Sequence, residues 1–113
     1  MRNIFLGLGI ATALGCASSP PVAQQEQSSA SIRAAEEVGA KGIPQAALHL
    51  QLAKEQFEAA KAERSDRDRA SRLLARAQAD AELALALART ESEREQAQDA
   101  VNMLNKVNFT APQ

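Results

Sequence analysis

Few side chains in this sequence could do covalent or metal chemistry. Its 113 residues hold one cysteine, Cys16, and one histidine, His49. A metal centre needs several N, S or O ligands converging on one point. His49 has no second His, Cys or carboxylate at the i+4 spacing that a helix would require, so it reads as a surface or half-buried histidine. Asp80 lies in an apolar-flanked stretch, Ala77-Gln78-Ala79-Asp80-Ala81. Arg76 precedes it by four residues, the separation of an intrahelical ion pair. The chain shows no glycine-rich phosphate loop, no paired catalytic carboxylates and no Ser/His/Asp set. These residues predict a protein that is not an enzyme and carries neither metal nor organic cofactor.

Cys16 is the exception, because its surroundings specify one modification. Met1-Arg2-Asn3 is a short basic start, followed by an apolar run from Ile4 to Leu14. That run is too short to span a bilayer core, which needs roughly 20 residues, and has the length of a signal-peptide core. It ends in Ala13-Leu14-Gly15-Cys16, followed by Ala17-Ser18-Ser19-Pro20-Pro21. Small residues before a cysteine and a Ser/Pro-rich stretch after it resemble the lipobox of bacterial lipoproteins, although Ala13 stands where leucine is usual. The resemblance implies lipidation of the Cys16 thiol, removal of residues 1–15 and acylation of the new amino group by a chain such as palmitate. More than one acyl chain makes stable anchoring. Ala17 is not the aspartate associated with inner-membrane retention, so the outer membrane is the expected address, with the folded part facing the periplasm.

The elements beyond Cys16 follow from composition and spacing. Alanine fills 25 positions, while Phe, Tyr and Trp together supply only 3% of the chain. Large aromatic and branched side chains bury far more area than alanine, so a slender helical assembly is expected rather than a globule with a deep pocket. Residues 16–28, rich in Ser, Pro and Gln, read as a flexible tether. Residues 29–38 predict a short helix, and Gly39 and Gly42 bracket a break. Pro44 suits the first turn of a second helix, 44–64. Its seam is Ala46, Leu50, Ala53, Phe57 and Ala60. A turn at Ser65-Asp66 leads into a third helix, 66–106, with the seam Ala70, Leu74, Ala77, Ala81, Ala84 and Ala88. Both seams alternate spacings of four and three, the signature of one buried helical face. The reading is an all-α, elongated antiparallel hairpin over residues 29–108, its first arm kinked at the glycines, with a disordered tail at 109–113. The two arms, about 54 and 60 Å long, match in length.

Several of these residues carry a resemblance to a known family. Ala34-Ala35-Glu36-Glu37-Val38-Gly39-Ala40 precedes Pro44, Leu50, Ala53 and the Ala59-Ala60 pair. Ala77-Gln78-Ala79-Asp80-Ala81-Glu82 and the run Leu83 to Ala88 follow. Together they resemble an alanine-rich bacterial envelope family known only as a domain of unknown function. The resemblance implies a small lipoprotein or exported protein and supplies no catalytic residues. Some relatives adjoin OmpA-like peptidoglycan-binding domains.

Two surfaces could meet partners. Residues 61–76 contain six basic groups (Lys61, Arg64, Arg67, Arg69, Arg72, Arg76) against Glu63, Asp66 and Asp68, whereas residues 80–99 are predominantly acidic. A solvated face laced with local ion pairs is the ordinary reading of such a run. Arg64, Arg67, Arg69 and Arg72 are the candidates if the tip meets an anionic partner. In the hairpin reading the turn lies roughly 50 Å from the tethered end, facing cell wall or protein rather than lipid. Leu83 and Leu87 project away from the third helix's seam, either covered by the first helix or available to a second copy of the chain. A net charge of −1 argues against nucleic acid. The expected role is a lipid-anchored structural or adaptor element of the cell envelope. The competing reading is a periplasm-facing protein-binding module that assists an export or assembly machine. Cys16→Ser should leave the precursor uncleaved or mislocalised. A Cys16→Ser chain of mature length, still in the detergent phase of an outer-membrane fraction, would contradict the lipobox reading.

Overall fold

The computed structural model describes residues 21–110. Cys16, the expected signal peptide at 1–15, the first part of the expected tether and the last three residues lie outside the described residues. Three helices account for nearly all the rest: α1 (Pro21–Glu37), α2 (Pro44–Ala62) and α3 (Arg67–Thr110). A single 3-10 turn, Ala40–Gly42, joins α1 to α2.

The seams of α2 and α3 are those that the spacing requires. Ala46, Leu50, Ala53 and Ala60 of α2 are buried, with Phe57 packed at the margin of the core. All six seam positions of α3 are buried, and Leu74, Ala77, Ala81 and Ala84 are fully so. The two helices run antiparallel across residues 63–66, where one carboxylate organises the reversal. Glu63 Oε1 accepts hydrogen bonds from the Ser65 hydroxyl (2.8 Å), the Ser65 N–H (3.1 Å) and the Asp66 N–H (3.1 Å). Those donors, the Ser65 hydroxyl first, hold the Glu63 carboxyl below its ordinary value of 4.5. Asp66 Oδ1 then accepts the Arg69 N–H at 2.8 Å, satisfying an orphan donor at the α3 N-terminus. No Gly or Pro interrupts residues 67–110, so α3 continues for 44 residues.

The first arm departs from the expected hairpin. The break at Gly39 reverses the chain instead of kinking it. Gly39 has φ +81°, the left-handed conformation that ends helices with little penalty only at glycine. Its N–H bonds the Glu36 carbonyl, and the 3-10 turn closes from Gly42 N–H to Gly39 O at 2.9 Å. As a result α1 lies antiparallel to α2 and parallel to α3. Near its end, Glu36 is bonded by Lys54 of α2 and lies 3.2 Å from Lys41, and both cations depress its carboxyl below the usual 4.5, Lys54 the more. Earlier in α1, Ser29, Ile32 and Arg33 share an open cleft with Lys54, Phe57 and Glu58. Matched arm lengths could not separate a kink from a reversal, since both consume the same number of residues.

The expected tether is also helical from Pro21 onward. Its core face is Ser28, Ile32 and Ala35, again at spacings of four and three. The fully buried Ser28 donates its hydroxyl to the Leu74 carbonyl at 2.9 Å, tying α1 to α3. A small hydroxyl with a satisfied bond fits where alanine-sized groups set the spacing, but its polarity conceals the seam. At the other end, the expected disordered tail is helical through Thr110. Ser28→Leu should destabilise the chain by about 1–3 kcal/mol through overpacking and loss of this bond. Glu26→Leu, on the exposed face of the same helix, should stay within about 0.5 kcal/mol. Equal urea midpoints for the two variants would mean that α1 does not pack on α3.

Candidate functional site

The chemistry-bearing residues fall at two ends of the bundle and in one cluster between them. Ser28 of α1 faces Leu74 of α3, and Val38 shares a cleft with Ala88 and Ser92. With this parallel register, Pro21 stands level with Arg67, seven residues before each bonded position. The α1 N-terminus therefore emerges beside the α2–α3 turn. This overturns the expectation that the basic tip is the end remote from the N-terminal segment, again because Gly39 reverses the chain.

At this basic end Arg64, Arg67, Arg69 and Arg72 are all exposed. Arg69 Nε lies 3.7 Å from Glu63 Oε2, and Lys61 pairs with Glu58 at 3.1 Å. Lys61 also sits 5.6 Å from the centre of the Phe57 ring. Arg64, Arg67, Arg72 and Arg76 make no ion pair among the described residues. Glu63 and Asp66 are already occupied by turn hydrogen bonds, so the cations outnumber the acids available to them. Arg69, Arg72 and Arg76, at spacings of three and four, share one face of α3.

In mid-bundle the expected Arg76–Asp80 pair is replaced by contacts across the helix interface. Asp80 Oδ1 lies 2.9 Å from His49 Nδ1, and Asp80 Oδ2 accepts the Gln56 amide at 2.9 Å. Both contacts are partly buried, with the His49 and Asp80 side chains 29% and 22% exposed. His49 and Gln56 lie seven residues apart on α2 and flank Asp80, whereas Arg76 points to solvent. The pattern of each helix alone could not show this, because the bond joins positions 31 residues apart. The three groups act as a polar clasp beside an alanine core. Among the described residues, no group of three His, Cys, Asp or Glu side chains is placed to hold a metal ion.

The two leucines separate. Leu87 packs against the margin of the core, while Leu83 remains 42% exposed. The larger apolar surface lies where the sequence reading placed nothing. Beyond Glu91, α3 outruns both other helices and is exposed at every residue from 92 to 110. Val101, Met103, Leu104, Val107 and Phe109 are among the exposed large apolar side chains. Ala97, Ala100, Leu104 and Val107 repeat at spacings of three, four and three, a seam signal present in the sequence and equal in kind to those of the bundle.

The model of a family described as "Domain of unknown function (DUF4398)" matches residues 23–100. The chain belongs to this family. The match takes in α1 from Ala23, all of α2 and α3 as far as Ala100, so the three-helix bundle is the body of the DUF4398 domain, and the match runs into the α3 extension. No curated protein and no solved structure matches the chain. For this DUF4398 chain, Asp80→Ala should cost about 1 kcal/mol, since it strips an acceptor from both His49 and Gln56. Arg76→Ala should change stability by less than about 0.5 kcal/mol. The reverse order in chemical denaturation would restore the intrahelical pair and remove the clasp.

Proposed function

We propose that this chain is a non-catalytic, lipid-anchored adaptor of the bacterial cell envelope, attached through Cys16 to the outer membrane and facing the periplasm. The motif around Cys16 supports the anchor and the address, and the envelope character of the family that the sequence resembles agrees with both. No helix among the described residues is long and apolar enough to cross a membrane.

The observation that carries the adaptor reading is the unaccompanied end of α3. A helix end without packing partners frays, because in proteins helical stability comes mainly from packing an apolar face. Residues 97–110 present such a face, exposed at every position and beyond the clefts that Val38 and the α1–α2 connection share with α3. Because α1 and α3 are parallel, this arm projects from the end opposite the N-terminal segment. One end would be held at the lipid while the other offers a helical seam to a partner helix. The same seam supports the second reading, a protein-binding module accessory to an export or assembly machine. A cell-wall partner has weaker support, since the basic tip lies at the anchored end.

A photo-cross-linking residue placed at Leu104 tests the arm in intact cells, with Ala79, exposed on the bundle, as control. Adducts are expected from position 104 and not from position 79. An adduct at twice the chain's own mass identifies a second copy as the occupant. Adducts from position 79 alone would sink the reading of the arm as the working surface.

A further inference from the structure

We propose that the basic end of the bundle docks onto anionic phospholipid headgroups and so fixes how the chain stands on its membrane. The proposal rests on the anchored reading of Cys16 and adds an orientation and a lipid class to it. Only four residues, 17–20, lie between Cys16 and Pro21. The five steps from Cys16 to Pro21 reach at most about 18 Å, and Pro21 stands level with Arg67 at the α2–α3 turn. A lipid on Cys16 therefore keeps the turn within roughly two Debye lengths of the headgroups, one Debye length being about 8 Å at physiological salt.

The charges at this end suit that position. Arg64, Arg67, Arg72 and Arg76 make no ion pair within the bundle. Arg69 extends the Arg72–Arg76 face and is only loosely held by Glu63, at 3.7 Å. The acids nearby are Glu26, Glu58, Glu63, Asp66 and Asp68. Glu58 is paired with Lys61, while Glu63 and Asp66 accept backbone N–H groups of the turn. These five acids oppose the six cations of residues 61–76, so the surplus at this end is one positive charge, and four of its guanidinium groups are held by no carboxylate of the bundle. The N-termini of α1 and α3 also lie at this end, and their dipoles add positive partial charge. Each cation near an anionic leaflet shifts the docking equilibrium roughly fivefold. Arg64 and Arg67 at the turn count most, while Arg72 and Arg76, about 8 and 14 Å farther along α3, count less. That favours one orientation of an end already tethered there without recruiting an unanchored protein tightly. Docking the turn points the α3 arm, about 66 Å from end to end of its helix, away from the bilayer.

The test uses the full lipidated chain reconstituted in vesicles, where an acylated Cys16 leaves an introduced cysteine as the sole labelling site. A donor dye is placed at Ser65→Cys or at Asn108→Cys, and an acceptor dye on the headgroups. Energy transfer from position 65 should be strong when phosphatidylglycerol is mixed into phosphatidylcholine. Transfer from position 108 should stay low there and rise in phosphatidylcholine alone or in high salt, where a bundle held only by its tether tilts freely. Replacing Arg64, Arg67, Arg72 and Arg76 together by Gln should leave the chain floating with the vesicles. The docking equilibrium should drop on the order of tenfold or more, with helicity unchanged by circular dichroism. A ratio of transfer between positions 65 and 108 that ignores lipid composition, survives the quadruple change or lies near one with phosphatidylglycerol overturns the docking proposal while leaving the anchor intact. A wild-type chain that fails to float even with phosphatidylcholine overturns the anchor, and the docking proposal with it.

Discussion

Alanine at the helix interfaces sets how near the three helices lie, and the other features of the bundle depend on that spacing. Between Ala70 and Ala88 the buried face of α3 contains one leucine among five alanines. Ala35, Ala46 and Ala53 face it, fully buried, from the other two helices. With so little side chain between them, backbones approach toward the near end of the usual 8–10 Å range. That proximity lets the Ser28 hydroxyl reach a main-chain carbonyl on another helix, and it lets Asp80 bond two side chains of α2 at once. Each alanine buries little apolar area at about 25 cal/mol per Å², so stability is spread over many small contacts. Interfaces of this kind tolerate loss of a methyl group better than the addition of several.

The second constraint is the direction of α1. Gly39, in a conformation that penalises every residue with a Cβ, turns the chain through the 3-10 segment and sends α2 back along α1. From this single reversal comes the polarity of the molecule. The N-terminal segment and the basic α2–α3 turn share one end, and the unaccompanied arm of α3 leaves from the other. Ionic and apolar surfaces are thereby separated along the axis of the bundle instead of being mixed on one face. If Cys16 is lipidated as proposed, that separation assigns the cations to the membrane side and the exposed apolar seam to the side facing away. A kinked two-arm rod with the same residues would have assigned them the other way.

Helix identity, the seams of α2 and α3 and the turn at Ser65-Asp66 were legible in the sequence. Apolar spacing of three and four is a property of a helix by itself, and glycine or proline marks its ends whatever it packs against. The α1 seam was hidden because Ser28 is polar and the preceding residues have the composition of a linker. Only a carbonyl supplied by α3 makes a buried hydroxyl acceptable there. Arg76 was the apparent partner of Asp80 because sequence spacing reports neighbours along one helix. His49 and Gln56 became its partners once α2 was laid across α3. The apolar spacing of Ala97, Ala100, Leu104 and Val107 was equally visible, but whether that seam is covered depends on where α1 ends. The local pattern thus determined which residues turn inward on each helix. The direction of the reversal at Gly39 decided which helices meet, which end carries the charge and which seam stays open, because those depend on long-range packing that no local spacing encodes.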